Sequence, residues 1–199
     1  MELDTQTSER LLGAAGEIDQ RARLVAELRE HALVIGDVVL TSGQTAHYLV
    51  DAKRAILRPA GFRALAELVA EQAREWGATA VGGMTMGADP IACAALAGGA
   101  EVKAFFVRKE AKAHGLSRRI EGPVLEPGER CMLVEDVVTT GGSTIRALEA
   151  LRDEGHDVCG VLAICDRLAG AAEAIEHAAG APFRALLTID DVYPERPDR

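Results

Sequence analysis

Apolar residues recur at helical spacing over residues 8–32, where Leu11, Leu12, Ile18, Leu24, Val25 and Leu28 are interleaved with charges. Leu33 to Leu40 and Tyr48 to Ala52 then read as short strands flanking a hairpin-like turn at Thr41-Ser42-Gly43-Gln44. Gly61 to Trp76 carries an amphipathic helical stripe, with Phe62, Leu65, Leu68, Val69 and Trp76 on one face and Gly77 in the stop position. From there strands and helices alternate. Strands are predicted at Thr79–Val81, Val102–Val107, Arg130–Val134, Val158–Cys165 and Phe183–Ile189, and helices at Asp89–Ala97, Ser143–Glu154 and Gly170–Ala179. Gly82 to Gly87 reads as a tight turn, and Arg108 to Gly122 as a charged segment without a clean period.

That alternation predicts an α/β fold, a mostly parallel sheet flanked by helices, with a small N-terminal hood. Residues 1–55 are expected to supply the N-terminal helix and hood, and residues 56–199 the α/β core, within a single domain overall. Ligands of such sheets bind beyond the carboxyl ends of the strands. The turns after Val81, Val107, Val134 and Cys165 are therefore expected to converge on one crevice.

Composition narrows the partners. The chain of 199 residues is 48% hydrophobic but only 4% aromatic, so aliphatic side chains and alanines must fill the core. A net charge of −9 disfavours nucleic acid and anionic membrane as general partners. It also makes a local basic cluster informative. The cysteines, Cys93, Cys131, Cys159 and Cys165, form no CxxC pair and lie in apolar surroundings, which suits buried thiols in a reducing cytosol. The polar, acidic stretch Met1 to Arg10 is unlike a secretory leader, and a cytoplasmic location is expected. Val81 to Ala100 is broken by Asp89, Pro90 and glycines and makes a poor membrane span.

The strongest chemical signal is Cys131-Met132-Leu133-Val134-Glu135-Asp136-Val137-Val138-Thr139-Thr140-Gly141-Gly142-Ser143-Thr144. An apolar strand runs into paired acids, a loop of small and hydroxylated residues follows, and a helix begins. Glycines let such a loop curl until its backbone N–H groups point inward, and the helix start adds partial positive charge. The result suits a phosphate. Carboxylates beside it would repel a bare phosphate but would accept hydrogen bonds from sugar hydroxyls or attract a hard divalent cation. A ribose 5-phosphate fits this arrangement better than a nucleoside triphosphate, and neither GxxxxGK[ST] nor GxGxxG is present.

The stretch resembles the signature of type I phosphoribosyltransferases, in its wording the orotate-using branch. The resemblance implies that Glu135 and Asp136 bind the ribose hydroxyls of phosphoribosyl diphosphate, while Val137, Val138, Thr139, Thr140, Gly141, Gly142 and Ser143 bind its 5-phosphate. It also implies magnesium, held by no protein side chain directly or by Glu135 and Asp136 through water. Asp136 joins Lys112 and His114 as an expected catalytic residue.

The segment Phe106-Val107-Arg108-Lys109-Glu110-Ala111-Lys112-Ala113-His114-Gly115 concentrates cations in an acidic chain. Read from the residues, it is either a solvated loop or a cationic lid that neutralises a departing diphosphate and excludes water. It is similar to the mobile catalytic loop of the orotate branch. The resemblance implies that Arg108, Lys109, Lys112 and His114 contact the donor, that Lys112 is the main catalytic lysine, and that loop 108–121 is shared across a homodimer.

Asp166-Arg167 follows an apolar strand, where an arginine can pair bidentately with a carboxylate. The family implies orotate as that carboxylate, with Thr139 as a further contact. Thr41 to Asp51 resembles the family's hood segment, with Thr41 where some bacterial relatives have lysine and Thr45 where serine is usual. Some relatives also carry a Tyr-Lys pair near Met86 and Gly87. Tyr48 suits either the core or a pocket wall. The rivals are a purine or uracil transferase and a non-catalytic sensor of the donor.

Overall fold

The structure is a computed structural model, and it describes residues 19–39, 45–110 and 119–199. The hairpin turn expected at Thr41 to Gln44 and the first part of the helix expected over 8–32 lie outside the described residues, as do Lys112, His114 and Gly115.

Helix α1 (Gln20–Glu27) starts where the Asp19 carboxylate accepts from the Arg21 and Ala22 N–H groups, and it runs on into a π-helical turn at Leu28–Ala32. Strands β1 (Leu33–Val39) and β2 (Thr45–Val50) form the antiparallel hairpin, with a register shift between Ile35 and Val38. A short helix α2 (Lys53–Ile56), which the periodicity did not show, precedes α3 (Pro59–Glu75). Then come β3 (Ala80–Met84), α4 (Asp89–Ala97), β4 (Lys103–Val107), β5 (Ile120–Glu121), β6 (Arg130–Val138), α5 (Gly142–Asp153), β7 (Asp157–Asp166), α6 (Ala171–Ala179), β8 (Phe183–Thr188) and α7 (Ile189–Val192).

The main sheet has the order β5-β4-β3-β6-β7-β8. Every pairing is parallel except β4 with β5. That short antiparallel pair is closed by the Arg108 N–H, which donates to the Arg119 carbonyl at 2.8 Å. Successive residues of the central strands enter opposite layers. Met132 and Val134 join one buried cluster with Leu65, Val69 and Ile91, whereas Cys131 and Leu133 join another with Leu148, Leu151 and Ile175. Both faces of the sheet are thus apolar and helix-covered, as parallel sheets require. The hood is not separate from this core: Leu24, Leu28, Tyr48 and Val50 belong to the first cluster.

Two boundaries differ from the sequence reading in ways that matter to the site. β3 does not stop at Val81 but carries Gly82 and Gly83 on to Met84, in register with Phe105 to Val107. β6 does not stop at Val134, because the long β7 pairs with it as far as Val138 opposite Asp166. The paired acids therefore sit inside a strand. The cysteine expectation also needs correcting. Cys131 and Cys165 are buried, but Cys159 is half-buried and Cys93 is exposed on α4. No helix among the described residues is long and apolar enough to cross a membrane.

Candidate active site

Because alternate side chains of a strand point to opposite sides, placing both acids within β6 sends them to different neighbours. Glu135 is 5% exposed and turns toward the start of α5, where Thr144 Oγ1 donates to its Oε2 at 3.3 Å. Burial pushes its carboxyl up to about 7, and the Asp136 charge adds to this, while a hydrogen bond from Ser143 opposes it. Asp136 turns toward the hood. Its Oδ1 accepts the Val137 N–H at 2.8 Å, and its Oδ2 accepts from Lys53 Nζ at 2.9 Å. Gly87 stands close against it, since a Cβ there would lie 2.7 Å from Asp136 Oδ1.

Beyond β6 the chain turns through Thr139 and Thr140, both exposed, to Gly141. Gly141 has φ of 76°, a left-handed conformation that lets the loop reverse into α5. The loop encloses a cavity of about 130 Å³ lined by Glu135 and by residues 137–144. The first-turn N–H groups of a helix lack intrahelical partners, and α5 begins at this cavity, so the enclosure suits a phosphate dianion. Every residue expected to hold the 5-phosphate is brought together here.

A larger cleft of about 970 Å³ adjoins it, with Glu135 and Ser143 in the walls of both. Its opposite wall includes Thr85, Met86 and Gly87 from the turn after β3, and its cations are Lys53, Arg108, Lys109 and Arg146. Arg108 Nη1 donates to Glu121 Oε1 at 3.3 Å. Arg119 donates to the Arg108 carbonyl at 3.1 Å, fixing the base of the basic segment. Lys53 and Arg146 are additions to the residues foreseen. Lys53 escaped because it precedes the core motifs by a long stretch of chain, and Arg146 because it reads as an ordinary exposed helix position; its guanidinium in fact lies over Gly142.

Arg167 is outside the residues lining these two cavities. Its N–H donates to the Val138 carbonyl at 2.9 Å, which fixes it at the carboxyl end of β7. Its guanidinium stacks 4.6 Å from the centre of the Tyr48 ring, and Nη2 is 3.8 Å from Asp198 Oδ2. Tyr48, 2% exposed, is a core residue that also donates to the Asp198 carboxylate at 3.0 Å. The guanidinium thus already faces a carboxylate, although its Nε is buried without a hydrogen-bond partner.

A metal at the acids can be tested against their contacts. Both Asp136 oxygens already accept from Val137 and Lys53, and Glu135 is turned toward Thr144. The set fits a hydrated magnesium held through water, which normally keeps several waters in any case. Cys131 and Cys165, each pushed up to about 12 by burial, are inert thiols rather than nucleophiles.

Comparison with known proteins places this geometry. Residues 52–181 match the phosphoribosyl transferase domain model. The chain is 46% identical over 176 residues to orotate phosphoribosyltransferase of Corynebacterium glutamicum (strain R), covering 88% of this chain and 95% of the relative. Among solved structures, Mycobacterium tuberculosis H37Rv orotate phosphoribosyltransferase in complex with Fe(III) dicitrate superposes with a TM-score of 0.79 at 43% identity, covering 87% of this chain and 99% of that one. The same enzyme in complex with 5-phospho-α-D-ribosyl 1-diphosphate gives a TM-score of 0.74 at 38% identity, covering 87% and 98%.

Proposed function

Starting from the fact that the chain belongs to the phosphoribosyltransferase family, we infer that it transfers the 5-phosphoribosyl group of phosphoribosyl diphosphate to orotate. The products are orotidine 5′-monophosphate and diphosphate, a step of pyrimidine synthesis. The observation that carries this reading is the continuity, across Glu135 and Ser143, of a phosphate-sized cavity with a cleft lined by Lys53, Arg108, Lys109 and Arg146 alongside Glu110, Glu121 and Asp136. A single ligand can then seat a terminal phosphate in one and a diphosphate in the other.

In this reading the loop of residues 137–144 grips the 5-phosphate, and Glu135 and Asp136 accept hydrogen bonds from the ribose hydroxyls. Such bonds favour an ionised carboxylate, so the ribose hydroxyls favour the charged form of Glu135. The bond between the anomeric carbon and the diphosphate oxygen breaks as the bond to the orotate ring nitrogen forms, and that nitrogen gives up its proton to solvent. The leaving diphosphate takes the electron pair of the broken bond. Arg108 and Lys109 face the developing charge, and Lys112 and His114 are assigned to it by the family resemblance. Catalysis is then mainly positioning and charge stabilisation. Magnesium, carried on the donor's own oxygens and held by Glu135 and Asp136 through water, would neutralise diphosphate charge.

Arg167 is assigned to the orotate carboxylate, with Thr139 beside it; the Asp198 carboxylate facing the guanidinium supports the chemistry of that pairing. Residues 1–55 are taken as the hood and residues 56–199 as the core. A homodimer sharing loop 108–121 is supported by a large apolar side chain left in solvent outside the cleft, Leu57 at 64% exposure. A cytoplasmic setting is supported by the free thiols. The deciding experiment is orotate consumption with donor and magnesium, with uracil, adenine and hypoxanthine as controls. Turnover of orotate alone is expected; turnover of a purine or of uracil in its place would overturn the assignment.

A further inference from the structure

Lys53 is the first residue of α2, at the junction of hood and core, yet its ammonium reaches the middle of the sheet. Nζ lies 2.9 Å from Asp51 Oδ1, just past β2, and 2.9 Å from Asp136 Oδ2 in β6. It therefore joins the hood hairpin to the strand that carries the paired acids. Nothing in the family's motifs quoted above includes it.

The surroundings of Asp136 give this contact its weight. Oδ1 is fixed by the Val137 N–H of its own strand, and Gly87 stands against the same oxygen. The contact on Oδ2 is a movable side chain, that of Lys53. Removing it releases the hydrogen bond that holds that oxygen toward the hood. It also removes a positive charge from beside Asp136, one of two adjacent acids that must receive a ligand bearing phosphates. An ion pair between surface groups contributes little to folding. Lys53 is 36% exposed and lines the cleft, so its value lies at the site rather than in global stability. Burial works against its charge, but the hydrogen bond to Asp136 and the ion pair with Asp51 outweigh this and raise its pKa, so it is cationic at any physiological pH.

We propose that Lys53 is a positioning residue for the transfer: by bridging Asp51 and Asp136 it aims the Asp136 carboxylate at the ribose hydroxyls and offsets its charge so that a polyanionic donor can approach. The proposal rests on the reading of the cleft as a phosphoribosyl site. It makes a specific separation. Lys53 is not among the residues enclosing the phosphate cavity, whereas the acid it holds is a neighbour of that cavity. Ribose 5-phosphate should feel its loss, and inorganic phosphate should not.

The test compares wild type, Lys53→Met and Lys53→Arg by calorimetric titration with ribose 5-phosphate and with inorganic phosphate, alongside steady-state kinetics. In Lys53→Met, the affinity for ribose 5-phosphate should fall about tenfold or more and the donor KM rise in parallel. Phosphate affinity and the orotate KM should stay within twofold. Lys53→Arg, which keeps the charge and can still bridge two carboxylates, should recover most of the loss. Unchanged ribose 5-phosphate binding would overturn the proposal, as would an equal fall in phosphate binding, the mark of a merely structural role. If Lys53→Met does not fold, Lys53→Gln is read by the same criteria. Absence of orotate turnover in the wild type would instead sink the functional reading, which keeps the two failures distinct.

Discussion

Replacing Glu135 by Gln should make the protein more stable and a worse enzyme. Glu135 is 5% exposed, and burial together with the Asp136 charge lifts its carboxyl from 4.5 to about 7. A folded-state pKa raised above the unfolded one means stability that is fully present below pH 4.5, is lost as pH climbs toward 7, and stays lost above it. With one pKa unit equal to about 1.4 kcal/mol, ionising Glu135 at pH 8 costs the fold about 3 kcal/mol. Glutamine never ionises, and its carbonyl oxygen can still accept from Thr144 Oγ1, now 3.3 Å from the carboxylate, while its amide nitrogen replaces the oxygen that accepts the Asp136 N–H at 3.3 Å and offsets part of the gain. For a chain of this size about 3 kcal/mol corresponds to roughly 6–12 °C in Tm. Thermal unfolding of both proteins at pH 8 and pH 5 measures the effect. The gain should be largest at pH 8 and shrink to less than about 1 kcal/mol at pH 5, where wild-type Glu135 is already protonated in the folded state. Donor affinity at pH 8 should meanwhile fall about tenfold, because hydrogen bonds to a charged acceptor are the stronger ones. A variant that melts no higher than wild type at pH 8, or that gains equally at both pH values, would refute the reasoning.

Gly87→Ala would set a methyl 2.7 Å from Asp136 Oδ1 and push the carboxylate off its bonds to Val137 and Lys53. Tm should change by less than about 3 °C, within the range of mild substitutions, while kcat/KM for the donor falls about tenfold or more; a variant with wild-type kinetics would show that the close approach has no catalytic meaning. Arg167→Ala should raise the orotate KM at least tenfold, the scale of losing a charge-assisted pair, with donor KM nearly unchanged; unaltered orotate kinetics would remove Arg167 from the acceptor site. Lys112→Ala should lower kcat by about two orders of magnitude, as loss of a charge stabiliser does, and leave donor affinity, read by calorimetry, within a fewfold of wild type. Equal turnover would exclude Lys112 from the chemistry.

The helices from Gly61 onward that exceed one turn, and the phosphate loop, are legible because their signals are local, whereas the four-residue helices α2 and α7 are too short to show a period. Gly61 to Trp76 declares its face by spacing alone, and α4 begins and ends at the residues expected, Asp89 and Ala97. Strand ends were less legible, because a strand extends as far as its neighbour does. Nothing within Val134 to Val138 reveals that β7 will run alongside to Asp166. The same reason hid β5, whose two residues become a strand only by meeting Phe106 and Val107. Within the site, the acids and the loop were readable as one continuous motif. Lys53 was not, since its partner Asp136 lies 83 residues away and no pattern in one chain encodes such a meeting. Arg167 was read as a crevice residue from its strand-end position. Its stacking on Tyr48 and its proximity to Asp198 depend on a hood and a final segment that are remote in sequence.

The pairing of Val107 with Ile120, closed by Arg108 and Arg119, brings the chain back to the point from which it departed. The entropy of joining those ends is met by the sheet, and it grows only slowly with the number of residues between them. Evolution can therefore lengthen, shorten or rewrite the intervening stretch without retuning the scaffold. Its length can change from one descendant to the next so long as the cations it carries still reach the cleft, while the rim on which it is mounted stays fixed.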